Sequence, residues 1–213
     1  MKFIDERQVL TRSDTIIATV IALVMGGLFV LIGGLPLVVT FVPGLVVSWA
    51  LVLYLHDKQI ALPEPAAFVP LFFLLLAWQF IHFDEEFLTG FYDKFPALYG
   101  SSPYTVEKFV TINMASYFVF VLACVLVFTR RIRFLVLPML FFIVYGAIGN
   151  AIAHTVWVIM VKGYFPGFFT AQLYWVLGPL VLARFVGSKK IAWTAIALFA
   201  ALLVPLISAT ATC

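Results

Sequence analysis

The sequence predicts an all-α fold, a polytopic bundle of about seven transmembrane helices. Three observations predict it. Hydrophobic residues make up 64% of the 213 and charged residues 11%, where a soluble domain carries roughly 25% charged. Mean hydropathy is +1.13, so the chain cannot present a polar surface to water on all sides. Lys and Arg, finally, sort to alternate connections in the way that fixes orientation in a membrane.

Seven apolar segments follow one another, roughly 15–33, 35–55, 66–88, 109–129, 133–161, 167–187 and 190–208. Each is near the ~20 residues a crossing needs. The first two are joined only by "GGLP", whose glycines and proline predict a tight hairpin. "HDKQIALPEP" separates the second from the third, and about 89–108 is the longest polar connection. "TRRIR", "VKGYFP" and "GSKK" close the remaining gaps. A count of six, with 15–55 as an incomplete pair, is the alternative. The mixed charges of "MKFIDERQVLTRSD" and the lack of a small-residue cleavage site predict an uncleaved first helix.

With the N-terminus cytoplasmic, that side holds Lys2, Arg7, Arg12, Lys58, Arg130, Arg131, Arg133, Arg184, Lys189 and Lys190. The other side holds Lys94, Lys108 and Lys162, and the C-terminus lies there too. The expected location is a bacterial-type cell membrane. Cys124 and Cys213 form no disulfide framework. The basic residues form no continuous stripe, so nucleic acid is not an expected partner; membrane lipids are. His56, Asp57 and Lys58 read as a solvated loop.

Ionisable groups inside a membrane cost ~2.5–3.5 kcal/mol each at a helix centre, and they are functional candidates by default. Two clusters stand out. In "IHFDEEFLTGF" (81–91), Glu85 and Glu86 straddle His82 on one helical face, extended by Gln79 and Thr89, whereas Asp84 points away. In "YGAIGNAIAHTVW" (145–157), Asn150 and His154 lie one turn apart, and Gly146, Ala147 and Ala153 allow another helix to come close. At 1.5 Å per residue from the cytoplasmic ends, His82 lies ~24 Å deep, Asn150 ~25 Å and His154 ~31 Å. A hydrocarbon core of ~30 Å then puts both clusters at one level, in its outer half. The sixth segment starts from that side with Pro166, Gly167 and Thr170, and its free N–H groups should point toward the same region.

Three ordered motifs carry a family likeness: H-x-x-E-E at His82–Glu86, N-x-x-x-H at Asn150–His154, and Y-x-P-G-x-x-T-A in "YFPGFFTAQL" (164–173). Together they resemble the HXXEE domain family of small integral membrane proteins, over about residues 66–186. The resemblance implies an enzyme, and it names the site rather than the reaction. It makes residues 61–213 a five-helix membrane core and residues 1–60 an N-terminal transmembrane hairpin added to it.

The leading expectation is a membrane-embedded, metal-dependent enzyme acting on a lipid-like or other hydrophobic small molecule. His82, Glu85, Glu86 and His154 are the expected metal ligands, because two His and a carboxylate leave open positions on zinc or iron. The spare Glu, Glu85 or Glu86, would be a general acid or base, and Asn150 a catalytic donor to a developing oxyanion. Gln79, Thr170, Pro166 and Gly167 are expected around the substrate. A hydrolase is favoured over an oxidoreductase or isomerase. One alternative is a metal-free Glu/His isomerase or cyclase of an isoprenoid-like lipid. Another is a proton- or ion-coupled transporter, weakened because the cytoplasmic halves of these helices carry almost no ionisable groups and no inverted repeat is visible.

Overall fold

In the computed structural model, residues 8–212 are described, and they form helices and connections with no strand among them. Six helical runs are long and apolar enough to cross a membrane. The first, Arg12–Asp57, contains 46 residues and doubles back on itself. Helix α1 (Arg12–Leu28) passes through a π-helical turn, Phe29–Gly33, into α2 (Gly34–Asp57). The reversal falls at Gly34, whose φ of +63° suits a residue without a Cβ. Trp49 Nε1 donates to Thr19 Oγ1 at 2.9 Å, and His56 Nδ1 donates to the Leu10 carbonyl at 2.9 Å. Residues so far apart in sequence meet only in an antiparallel pair. His56 therefore stitches the hairpin shut instead of standing solvated.

The start of α1 is fixed locally. Thr11 and Asp14 form a reciprocal capping box, and Asp14 also pairs with Arg133 Nε at 3.1 Å. Helix α3 (Pro65–Leu88) opens with proline in its first turn, where the missing N–H costs nothing. A short helix, α4 (Phe91–Ala97), lies inside the long polar connection. It follows Gly90 at φ +80°, and its Phe91 and Phe95 are buried. Helix α5 (Val106–Arg130) starts on a Thr105 cap.

The fourth run is the hub of the bundle. Over Arg133–Val161 it is 89% buried in its most apolar window. It comprises a 3₁₀ turn at Arg133–Leu135, α6 (Val136–Phe141), a π-helical stretch at Phe142–Gly149, and α7 (Asn150–Val161). Helices α1, α2, α3 and α5 pack against it, as do α9 (Tyr174–Val186) and α10 (Lys189–Thr210). Glycines set the closest approaches. A Cβ on Gly44 of α2 would lie 2.7 Å from Tyr145, and one on Gly178 of α9 would lie 2.6 Å from Ile148. On the hub itself, a Cβ on Gly149 would lie 3.2 Å from Phe199 of α10. The close contact expected beside Gly146 thus falls one turn later, at Gly149.

The fifth run is broken. A single turn, α8 (Phe168–Ala171), precedes α9. Two sets of contacts mark the ends of the bundle. Near one end, Leu62 N bonds to Gln8 O at 2.7 Å, beside the His56–Leu10 and Arg133–Asp14 pairs. Near the other, Tyr104 Oη donates to Gly33 O at 2.6 Å, and Thr212 N donates to Leu98 O at 2.7 Å.

Candidate metal centre

The centre is built on one stripe of α3. Gln79, His82 and Glu86 sit three and four residues apart, so they share a face, and all are buried. Asp84 is exposed on the other side, as the face analysis predicts. The hub supplies His154, fully buried. Glu86 Oε1 lies 3.4 Å from His82 Nε2 and 3.3 Å from His154 Nε2. The three ligand atoms lie within 4.8 Å of one another.

Hydrogen bonding assigns the His82 tautomer. Thr170 Oγ1 has one proton, and it donates that proton to Glu85 Oε2, which can only accept. His82 Nδ1, 2.8 Å from the same Oγ1, must then be the donor of its own bond. In the neutral ring, Nε2 is left with a lone pair facing the Glu86 carboxylate. His82 Nε2 and both nitrogens of His154 are buried without a hydrogen-bond partner among the described residues. Buried polar atoms of this kind call for a reason, and a shared cation supplies one. Bonds of ~2.0–2.2 Å at tetrahedral angles set ligand atoms ~3.4 Å apart. The observed 3.3 and 3.4 Å separations fit that spacing. A charge-assisted N–H···O bond runs ~2.7–2.9 Å, shorter than either contact.

Glu85 is not brought into this triangle. Its Oε1 accepts from Tyr164 Oη at 2.8 Å and Phe169 N at 3.1 Å. Its Oε2 accepts from Thr170 N at 2.8 Å and from the Thr170 hydroxyl. The N–H groups at the start of the fifth run thus do point into the region, as expected, and Glu85 is what they meet. Burial of the Tyr164 hydroxyl, and then the Glu85 carboxylate it bonds, raise its pKa above the ordinary phenol value. Tyr164 accordingly stays protonated and donating. The order Glu85, Thr170, His82 is a carboxylate-to-ligand chain of the type that orients metal-binding imidazoles.

Gly167 closes the centre. It has φ +82°, and a Cβ there would lie 2.6 Å from His154 Cε1, 2.8 Å from Glu86 Cγ and 3.0 Å from His82 Cε1. Pro166 beside it is buried. Trp78 Nε1 donates to Thr170 O at 2.9 Å and holds the turn down. His154 packs edge-on to His82 and to Trp157, with ring centroids 4.9 Å apart in both pairs.

A cavity lined by residues of α2, α3, α4, α5 and the hub adjoins the centre. Glu86 is both a member of the triangle and, among the described residues, the only acid on the cavity wall. Gln79 and Asn150 also face it, whereas Thr170, Pro166 and Gly167 do not. Asn150 Nδ2 donates to Gly146 O at 2.9 Å. Residues that the sequence reading missed complete the polar wall: Asn113, Ser116 and Tyr117 of α5. Their 3–4 spacing within an apolar helix was the available signal.

No known family, curated protein or solved structure matches the chain.

Proposed function

We propose that this protein is a multi-pass membrane enzyme that holds a divalent metal on His82, Glu86 and His154 and acts on a lipid-like molecule in the adjoining cavity. The observation that carries this reading is the convergence of three buried ligand groups whose imidazole nitrogens facing Glu86 have no hydrogen-bond partner among the described residues. Two His and one carboxylate leave coordination positions open, as catalytic zinc and non-haem iron sites do. A zinc-like ion there supplies a Lewis acid and an activated water, which favours a hydrolase. Asn150 offers its second N–H to charge developing on a substrate oxygen. Glu86 is placed to pass a proton between the centre and the cavity. Glu85, with both oxygens engaged, is a positioning residue in this reading.

Seven crossings with the N-terminus cytoplasmic and the centre in the outer half belong to the same proposal. The Thr19–Trp49 pairing inside the first run supports the odd count, as do the contacts of Leu62 with Gln8 and of Thr212 with Leu98. The three ordered motifs support membership in the HXXEE family, and their residues converge on one centre. Helix α2 also walls the cavity, through Leu37 and Phe41, so the N-terminal hairpin contributes to the site.

The test is metal analysis of protein purified without chelator. About one zinc or iron per chain is expected, lost in His82→Ala, Glu86→Gln and His154→Ala. Metal-free wild type would overturn the proposal in favour of Glu/His acid–base chemistry.

A further inference from the structure

The polar wall of the cavity is a directed hydrogen-bond chain, and its direction limits what the cavity can bind. Asn113 Nδ2 donates to the Phe109 carbonyl at 3.0 Å. A carbonyl only accepts, so this bond fixes which way the Asn113 amide faces. Its Oδ1 therefore receives the Tyr117 hydroxyl, at 3.1 Å. Tyr117 has then spent its proton, so Gln79 Nε2 must donate to Tyr117 Oη, at 3.1 Å. That turns Gln79 Oε1 toward Tyr174, whose hydroxyl donates at 2.6 Å. One backbone carbonyl thus sets the polarity of four side chains on three helices.

Each amide NH₂ has two protons. Gln79, Asn113 and Asn150 each use one in the bonds above and line the cavity, so each has a second N–H to offer. A head with a carbonyl or ether oxygen would satisfy these N–H groups, which a bare hydrocarbon would leave without a partner. The remaining walls are apolar, with Phe41, Phe120, Phe141 and Phe142 among them. Phe41 on α2 and Ile112 and Ser116 on α5 are partly exposed, so the cavity opens between these two helices toward the lipid side.

We infer that the cavity takes a single-chain amphiphile whose head accepts hydrogen bonds from these amides, a carboxylic ester being the type case. The head lies against Gln79, Asn113 and Asn150, and the chain lies among the phenylalanines. This rests on the enzyme reading for its use, although binding itself does not need the metal.

The probe is a long-chain methyl ketone bearing a photoreactive diazirine in its tail, an acceptor-only head that cannot be hydrolysed. Full-length protein in nanodiscs is crosslinked in competition with unlabelled ketone or with the alkane of matched length, and metal content is read on the same samples. The ketone is expected to displace the probe at least about tenfold better than the alkane, which leaves the buried amide N–H groups unmatched. Crosslinks should map to α2, α5 and the hub. Asn113→Asp, which replaces a donor by an acceptor, should cost the ketone about tenfold. Ser116→Met, which adds bulk at the opening, should reduce crosslinking without touching the chain of bonds. His154→Ala should keep ketone binding while losing metal. Equal competition by ketone and alkane, or full ketone binding in both Asn113→Asp and Ser116→Met, would overturn the inference. Metal-free wild type that still prefers the ketone would sink only the enzyme reading.

Discussion

Gly167 combines two constraints in one residue. Its φ of +82° is strained for any side chain, and its missing Cβ leaves room against His154, Glu86 and His82. Gly187 shares the first constraint, at φ +70°, but has nothing within 4 Å of its would-be Cβ. Both Gly→Ala changes should lower stability by about 1–3 kcal/mol through backbone strain. Only Gly167→Ala should also displace the ligands and lose most of the bound metal. Thermal unfolding paired with metal analysis separates the two effects, and equal metal retention would refute the closing role of Gly167. Thr170 carries a similar contrast. Thr170→Val removes the oxygen that His82 Nδ1 donates to and should weaken metal affinity by about 10–100-fold. Thr170→Ser keeps that oxygen and should behave as wild type. If Val and Ser titrate alike, the Glu85–Thr170–His82 chain does not position the ligand. Face and depth made His82, Glu86 and His154 legible in the sequence. Glu85 and Glu86 were not separable there, because both straddle His82. What divides them is the 164–170 turn, and its placement depends on tertiary contacts such as Trp78 to Thr170.

At the scale of elements, apolar length and terminal signals gave the helical runs to within a few residues. The expected 133–161 segment is the observed Arg133–Val161 run. Hydropathy carried no sign of α4, because seven residues rich in Phe and Pro inside a polar connection have no period of their own. Nor did it show the interruption between α8 and α9, which leaves the apolar run intact. The π-helical stretch was equally hidden. It ends at Gly149, immediately before the helix that carries Asn150 and His154, and such stretches often accompany functional sites. Hub packing yields its own prediction. A Cβ on Gly178 would lie 2.6 Å from Ile148, whereas one on Gly27 meets nothing within 4 Å. Gly178→Leu should cost about 1–3 kcal/mol or more through overpacking, and Gly27→Leu should be near neutral. Unfolding in detergent checks this; matching melting temperatures would mean that α9 does not press on the hub there.

For the whole molecule, the basic residues and the contacts at the bundle ends bear on one question, the side of the membrane on which the centre lies. Residues near Lys58 belong with the end where His56 meets Leu10 and Arg133 meets Asp14. Lys94, on α4, belongs with the end where Tyr104 meets Gly33 and Thr212 meets Leu98. The described cysteine, Cys124, is buried, so an introduced thiol gives a clear signal once Cys213 is changed to Ser. Lys58 and Lys94 are both exposed, and substituting either by Cys should leave the bundle intact. Orientation by the positive-inside rule then predicts that Lys94→Cys reacts with an impermeant maleimide on intact cells. Lys58→Cys should react only after permeabilisation. The reverse pattern would turn the protein over and move the metal centre to the cytoplasmic half. Labelling of both from outside would mean that α3 does not cross the membrane, because one crossing between residues 58 and 94 is what α3 supplies.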